Sequence, residues 1–333
     1  MAEWLFEQGI GEARAALVEH GRIVEARIER DDGGLRAGAI LPARLVRQLI
    51  PRRRGIALIE GGHEALVEPL PPGLTEGGGF LALVTREAIA EPGHPKRAKA
   101  VAAPADAQPS PGPTLAERLA LTDIPVRPLL AHAPDALEAA GWSETLEEAA
   151  SGDIAFPGGG LRISPTPAMT LIDIDGALDP AALAVAGAGA AGEAIRRLDI
   201  GGSIGIDLPT MPDRAARQAA AAALDAALPL PFERTAVNGF GFLQIVRRRE
   251  RASLPELLRG DPALTAALAL LRRAERSGGV GARTLVAASA VVAIIDANRG
   301  WIDMLSRRLG APVALRAEPG LAISAGHVEA RPL

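Results

Sequence analysis

The chain has 333 residues, 48% of them apolar and only 3% aromatic, with no tyrosine, no cysteine and a formal net charge of −4. That length allows two or three domains, each with its own core. The absent cysteines exclude disulfides, thiolate nucleophiles, iron–sulfur clusters and cysteine-ligated zinc, and the mild negative charge argues against bulk attraction to nucleic acid or an anionic membrane.

At the N-terminus, Met-Ala-Glu-Trp-Leu-Phe-Glu is acidic and lacks the basic start and apolar stretch of a signal peptide. The longest apolar run, Leu285 to Ile295, is too short to cross a bilayer, so the expectation is a soluble, cytoplasmic protein with no membrane partner. Ala15–Val18 and Ile23–Ile28 flank a turn at Glu19-His20-Gly21-Arg22 and read as a hairpin. Short β-like runs follow at 56–59, 64–67 and 79–84, separated by Gly61-Gly62, Pro71-Pro72-Gly73 and Gly77-Gly78-Gly79, the pattern of a small barrel. The Ala/Pro-rich stretch 98–113 reads as an extended, mobile linker.

Helical periodicity returns over 134–151. Strand, helix, strand, helix then alternate over 170–175, 179–198, 203–207 and 214–227, with strands at 235–237 and 242–246. This alternation predicts an α/β core whose two central strands are neighbours. A smaller α/β unit follows residue 253, with helices over 261–277 and 288–308 and strands over 283–286 and 312–316.

Both central strands end in acid: Met169-Thr-Leu-Ile-Asp173-Ile-Asp175-Gly176 and Ser203-Ile-Gly-Ile-Asp207-Leu208. The strands would bury Leu171, Ile172, Ile204 and Ile206 and bring the aspartates together at neighbouring strand ends. Such grouped carboxylates form a hard oxygen site suited to Mg²⁺, the metal of phosphoryl chemistry; the same acids could instead cap helices or solubilise loops.

The basic residues are clumped as Arg44, Arg47 and Arg52-Arg53-Arg54, as Lys96, Arg97 and Lys99, and as Arg247-Arg248-Arg249 with Arg251. Local clusters on a near-neutral chain fit a polyanion surface, or else solvated arginine faces. Gly187-Ala-Gly189-Ala-Ala-Gly192 matches G-x-G-x-x-G, but the preceding segment reads as a helix start rather than a strand, so a nucleotide-dependent α/β enzyme is the weaker alternative. The histidines at 20, 63, 94, 132 and 327 show no ligand spacing, and G-x-S-x-G is missing.

Order and spacing of these pieces resemble the RNase E/G endoribonucleases, whose core carries A-I-D-I-N, a helix, G-G-x-I-x-I-D-F-x-D-M and then R-F-G-x-L-x-x-x-R-x-R. The matching segments are Leu171-Ile-Asp173-Ile-Asp175, Glu193-Ala-Ile-Arg-Arg-Leu198, Gly201-Gly202-Ser-Ile-Gly-Ile-Asp207-Leu-Pro-Thr-Met211 and Asn238-Gly-Phe240-Gly241-Phe-Leu243-Gln-Ile-Val-Arg247-Arg-Arg249. Phe156-Pro-Gly-Gly-Gly160 resembles the family's glycine turn, and Leu17-Val18 with Gly21-Arg-Ile23 resembles its N-terminal hairpin.

The resemblance implies an α/β (α+β) multidomain fold. An RNase H-like part (1–37 and 114–155) is interrupted by an S1/OB-type barrel (38–97) and the 98–113 linker. A DNase I-like catalytic core (156–253) and a small C-terminal domain (254–333) follow. It implies Asp173 and Asp207 as Mg²⁺ ligands and Asp175 as a third catalytic residue, in the place of the family's asparagine. The RNA surface implied is Arg44, Arg47, Arg52, Arg53, Arg54, Lys96, Arg97, Arg247 and Arg249, with single-stranded RNA as the partner.

Departures from the family pattern include Gly239 in place of arginine, and Leu58 and Val67 in place of the barrel's base-stacking aromatics. The 5′-sensor domain and the zinc-link cysteines are missing, so any homodimer would form without zinc. The expected activity is Mg²⁺-dependent hydrolysis of single-stranded RNA in processing or decay, the alternative being a non-catalytic RNA-binding protein on the same scaffold.

Overall fold

A computed structural model describes residues 2–91, 95–211, 213–279 and 281–330; His94 lies outside them. It is a mixed α/β molecule with three open sheets and one closed barrel.

The chain opens with β1 (Glu3–Gln8), β2 (Glu12–Glu19) and β3 (Arg22–Arg30), paired antiparallel in sequence order. The β2–β3 hairpin turns through His20 and Gly21, both at positive φ (51° and 77°), the geometry whose twist suits a two-residue hairpin loop.

The barrel comes next, from β4 (Ile40–Ile50), β5 (Arg54–Ile59), β6 (His63–Val67), β7 (Gly79–Arg86) and β8 (Ala98–Ala102), closed in the order β4-β5-β6-β8-β7. β8 corrects the linker reading of 98–113: its alanines 98 and 100 are buried inside the barrel, where small side chains fit between β6 and β7. Val67 is also interior, with no exposed surface, so it does not stand at a stacking position, whereas Leu58 faces outward.

After α1 (Leu115–Ala120), whose start is fixed by a Thr114/Glu117 capping box, β9 (Val126–Pro128) returns to pair parallel with β1. The N-terminal sheet is thus discontinuous in sequence, with the barrel inserted between β3 and β9. Two helices, α2 (Ala136–Ala139) and α3 (Trp142–Ser151), lead into the largest sheet.

That sheet holds β10 (Asp153–Phe156), β11 (Gly159–Pro165), β12 (Thr170–Gly176), α4 (Pro180–Arg197) as a crossover, β13 (Gly202–Asp207), α5 (Arg214–Ala227), β14 (Glu233–Arg234) and β15 (Phe242–Arg247). The spatial order is β10-β11-β12-β13-β15-β14, and only β12 and β13 are parallel neighbours, as a helical crossover requires. Asp179 starts α4 by accepting from the Ala181 and Ala182 amides at 3.2 Å, with Pro180 at the first helical position.

The glycine run 187–192 lies inside α4. A Cβ on Gly187 would meet Ile174 at 2.5 Å and one on Gly192 would meet Ala227 of α5 at 2.8 Å, while Gly189 faces open space. Close helix packing therefore explains Gly187 and Gly192, and the run is the interior of a helix, not a phosphate loop.

One face of the sheet is core. Ile172, Ile174, Ile204 and Ile206 are at most 4% exposed and pack with Leu183, Ala188, Ile195 and Leu224 of the helices. The other face is open, and this corrects the expected burial of Leu171: it alternates with Ile172, falls on the open side and is 38% exposed. Residues 235–237 form no strand; the ladder with β15 is confined to Glu233 and Arg234.

The C-terminal unit comprises α6 (Leu254–Gly260), α7 (Pro262–Glu275), β16 (Arg283–Ala287), α8 (Ser289–Ala297), α9 (Arg299–Leu309), β17 (Val313–Ala317) and β18 (His327–Ala330). The helix expected over 288–308 is two helices broken at Asn298, whose side-chain amide donates to Ile294 O at 2.9 Å and caps the first.

This unit is tied to the N-terminal sheet by buried charge. Glu7, 6% exposed, meets Arg14 at 2.9 Å, Arg272 at 2.7 Å and Arg276 at 2.9 Å, and Arg272 also meets Asp135 at 2.8 Å. Burial by itself would raise the Glu7 carboxyl, but the hydrogen bonds and charges of Arg272, Arg14 and Arg276 outweigh it and hold Glu7 below the ordinary glutamate value. No helix among the described residues is long and apolar enough to cross a membrane.

Candidate active site

The pairing register assembles the candidate site. Ile172 stands opposite Ile206 and Asp173 opposite Asp207, so the two carboxylates leave adjacent parallel strands on the open face. Adjacent strands lie about 4.8 Å apart. Asp175 stands on the same face one pleat further along β12, opposite Gly160.

Across the sheet the row through the pair reads Asp153, Arg162, Asp173, Asp207, Phe242. Arg162 directs Nε to Asp153 at 3.1 Å rather than to Asp173. Among the described residues, no ion pair engages Asp173, Asp175 or Asp207, and all three are exposed.

Like charges directly opposite one another destabilise a sheet by a few tenths to about 1 kcal/mol. The isoleucines behind them each contribute roughly 1.5–3 kcal/mol when fully buried. Core packing therefore wins, and the strands hold the two acids side by side despite their repulsion. An open recess of about 390 Å³ lies over Asp153, Gly160, Arg162, Asp173 and Asp175.

Among the described residues, no group of three or more His, Asp or Glu side chains is placed to hold a metal on its own. Two paired carboxylates still suit Mg²⁺, which binds through one or two carboxylates, retains water and completes its shell with substrate phosphate oxygens.

The expected RNA surface is only partly free. Arg44, Arg47 and Arg52 are exposed, and none of the three has an ion pair among the described residues. Arg53 and Arg54 share Glu68, at 3.2 and 2.6 Å, and pull its carboxyl below its ordinary value. Arg97 pairs with Glu64 at 2.7 Å, while Lys96 pairs with Glu91 and donates to Pro167 O at 3.1 Å.

Arg247 donates to Ile200 O at 3.1 Å, and Arg249 pairs with Glu256. Both line a 340 Å³ recess with Arg27, Arg118 and Arg251. That recess is at the opposite end of β13 from the acids: Arg247 is the partner of Gly202, whereas Phe242 is the partner of Asp207. The register thus brings the three aspartates together and leaves Arg247 and Arg249 a strand length away.

Arg162 and Phe242, which the sequence did not single out as site residues, share the row with the pair, and a short turn ahead of Phe242 lifts Phe240 into solvent, 84% exposed. Arg214 and Arg217 open α5, which follows the loop after Asp207. The N-G-F-G-F run was the visible signal for Phe242; Arg162 became recognisable only through register. The chain matches no family model and no curated protein.

Proposed function

We propose that the chain is a Mg²⁺-dependent endoribonuclease of the RNase E/G type, cutting single-stranded RNA at the Asp173–Asp207 pair. In that reading residues 1–37 and 114–155 form the RNase H-like part, 38–102 the S1-like barrel and 156–253 the DNase I-like core. The observation that carries it is the in-register, uncompensated pair on the open face of the six-stranded sheet.

Asp173 and Asp207 are the side chains that would hold the ion. Bound there, Mg²⁺ would supply charge neutralisation at the phosphate and a more acidic water. Asp175, on the same face one pleat along, would accept a hydrogen bond from the ribose hydroxyl or from water, and the open face leaves room for an extended strand. Arg44 and Arg47 on the barrel contact backbone phosphates, so affinity falls with salt.

The test is cleavage of an end-labelled single-stranded RNA by wild type, Asp173→Asn and Asp207→Asn, each with Mg²⁺ and with EDTA. Cuts that need Mg²⁺ and fall at least about 100-fold in both variants are expected. Wild type that binds RNA but makes no cuts would replace the enzyme with a non-catalytic RNA-binding protein. That second reading is favoured by Asp175, which adds a third negative charge on the same face with no ion pair among the described residues.

A further inference from the structure

The chain has six phenylalanines, three tryptophans and no tyrosine. Eight of these nine aromatic side chains are buried or half-buried, and Phe240 alone is 84% exposed. Leaving such a ring in water forgoes the stabilisation its burial would give.

The exposure does not come from a loose loop. Asn238 Oδ1 accepts from the Phe240 amide at 2.9 Å and from the Phe242 amide at 3.0 Å, and the Asn238 amide donates to Phe242 O at 3.0 Å. Gly241, at φ +93°, allows the turn, and its carbonyl accepts from Leu208 N at 3.2 Å. A Cβ at Gly241 would strike the Leu208 carbonyl, so this turn is locked against the residue that follows Asp207. Phe242, the register partner of Asp207, is two residues away, so the Phe240 backbone lies within roughly 7 Å of strand length of the acid row.

Three residues before Phe240, Val237 lines a recess of about 440 Å³ together with Arg214, Arg217 and Arg234. Arg234 is neutralised by both oxygens of Asp225, at 2.6 and 2.5 Å. Arg214 and Arg217 have no ion pair among the described residues; Arg217 makes only a 3.5 Å contact to Met211 O. Along the chain the exposed ring thus lies between Val237, which lines the recess of the two unneutralised guanidiniums, and Phe242, which stands opposite Asp207.

We infer that this strip is a single-strand track: a base stacks on Phe240 while the adjoining phosphates lie against Arg214 and Arg217, delivering the next phosphodiester to the acid pair. The inference rests on the phosphodiesterase reading and names how its substrate is gripped. Base stacking on an aromatic platform beside cations that follow the backbone is the physics of sequence-tolerant single-strand binding. A lone ring set between cations and carboxylates suits a base and its phosphates better than the apolar centre of a protein interface.

Phe240→Trp tests it. Trp4 and Trp142 are almost fully buried and Trp301 half-buried, so a tryptophan at 240 is the residue whose emission a stacked base quenches. In an Asp173→Asn background, a 12-nucleotide oligouridylate is expected to quench this emission, and an abasic strand of equal length is not.

Phe240→Ala, which removes no buried group, should weaken oligouridylate binding roughly 5- to 150-fold and leave the abasic strand unaffected. Arg214→Gln with Arg217→Gln should weaken both strands and flatten the salt dependence. Unchanged affinity in Phe240→Ala with no quenching overturns the track, and leaves the cleavage reading standing if wild type still cuts at the acid pair. No strand binding and no cleavage overturns both. Dimers in sedimentation that Phe240→Ala dissolves would instead make the ring a contact between copies, which also overturns the track.

Discussion

Two charge-rich regions of this molecule are built on opposite plans. Around Glu7, three arginines converge on one buried carboxylate, and nearly every oxygen and guanidinium finds a partner. On the open face of the large sheet, Asp173 and Asp207 stand opposite one another, exposed and without an ion pair among the described residues. The first plan fastens the C-terminal unit to the N-terminal sheet through α7. The second leaves carboxylate oxygens free for something the chain does not supply. Charge that is neutralised where it stands builds structure; charge held against its own repulsion is what the proposed function reads as a place for Mg²⁺.

The sharpest way to break the contrast is to remove the carboxylate from the paired region. Glu7→Ala leaves Arg14, Arg272 and Arg276 buried with too little negative charge, and loss of one partner from a buried ionic network costs about 3–5 kcal/mol. Chemical denaturation should show a loss of that order, and a loss below about 1 kcal/mol would mean the network does not carry the interface. The Arg272–Asp135 contact should keep part of the junction, so melting is expected to lose cooperativity between the two units before the whole chain unfolds.

The same network predicts a pH dependence with a definite sign. The Glu7 pKa is lowered in the folded state, so its contribution is fully present above the unfolded glutamate value of about 4.3 and is lost as pH falls through the lower, folded value. Wild type should therefore lose melting temperature steeply below about pH 4.3. Glu7→Gln, already weakened, should show a shallower slope there. Parallel slopes for the two proteins would remove Glu7 from the account of acid sensitivity.

The sequence made one of these regions far easier to read than the other. The acid-tipped strands could be placed as neighbours because their β-rich runs and the helix between them leave few topologies, and the observed parallel pairing of β12 with β13 follows that logic. The Glu7 network could not be seen: its members lie at 7, 14, 135, 272 and 276, and nothing local marks them as one cluster.

The misreadings share a physical cause. Ala98–Ala102 looked like linker because alanine carries little strand propensity, yet a barrel interior needs small side chains where it closes. Leu171 looked like core because an apolar run does not reveal that only one face of the sheet is covered. Phe240 was visible in N-G-F-G-F, but its exposure depends on the Asn238 turn, which only the fold reveals.

The smallest predicted effect has the opposite sign from the first. Asp207→Asn removes one of two like charges in direct register, so without divalent metal the variant should be more stable than wild type by a few tenths to about 1 kcal/mol, with the gain shrinking as salt screens the repulsion. Adding Mg²⁺ should reverse the order. Wild type gains stability by mass action, whereas the variant has lost one of its two proposed ligands and should gain little. Melting curves in EDTA and in Mg²⁺ measure this without reference to catalysis. If both proteins respond to Mg²⁺ equally, the pair is not a metal site. If Asp207→Asn lowers stability in EDTA, the carboxylate is making a structural bond, and the division between the two charged regions fails at the point where it is most finely balanced.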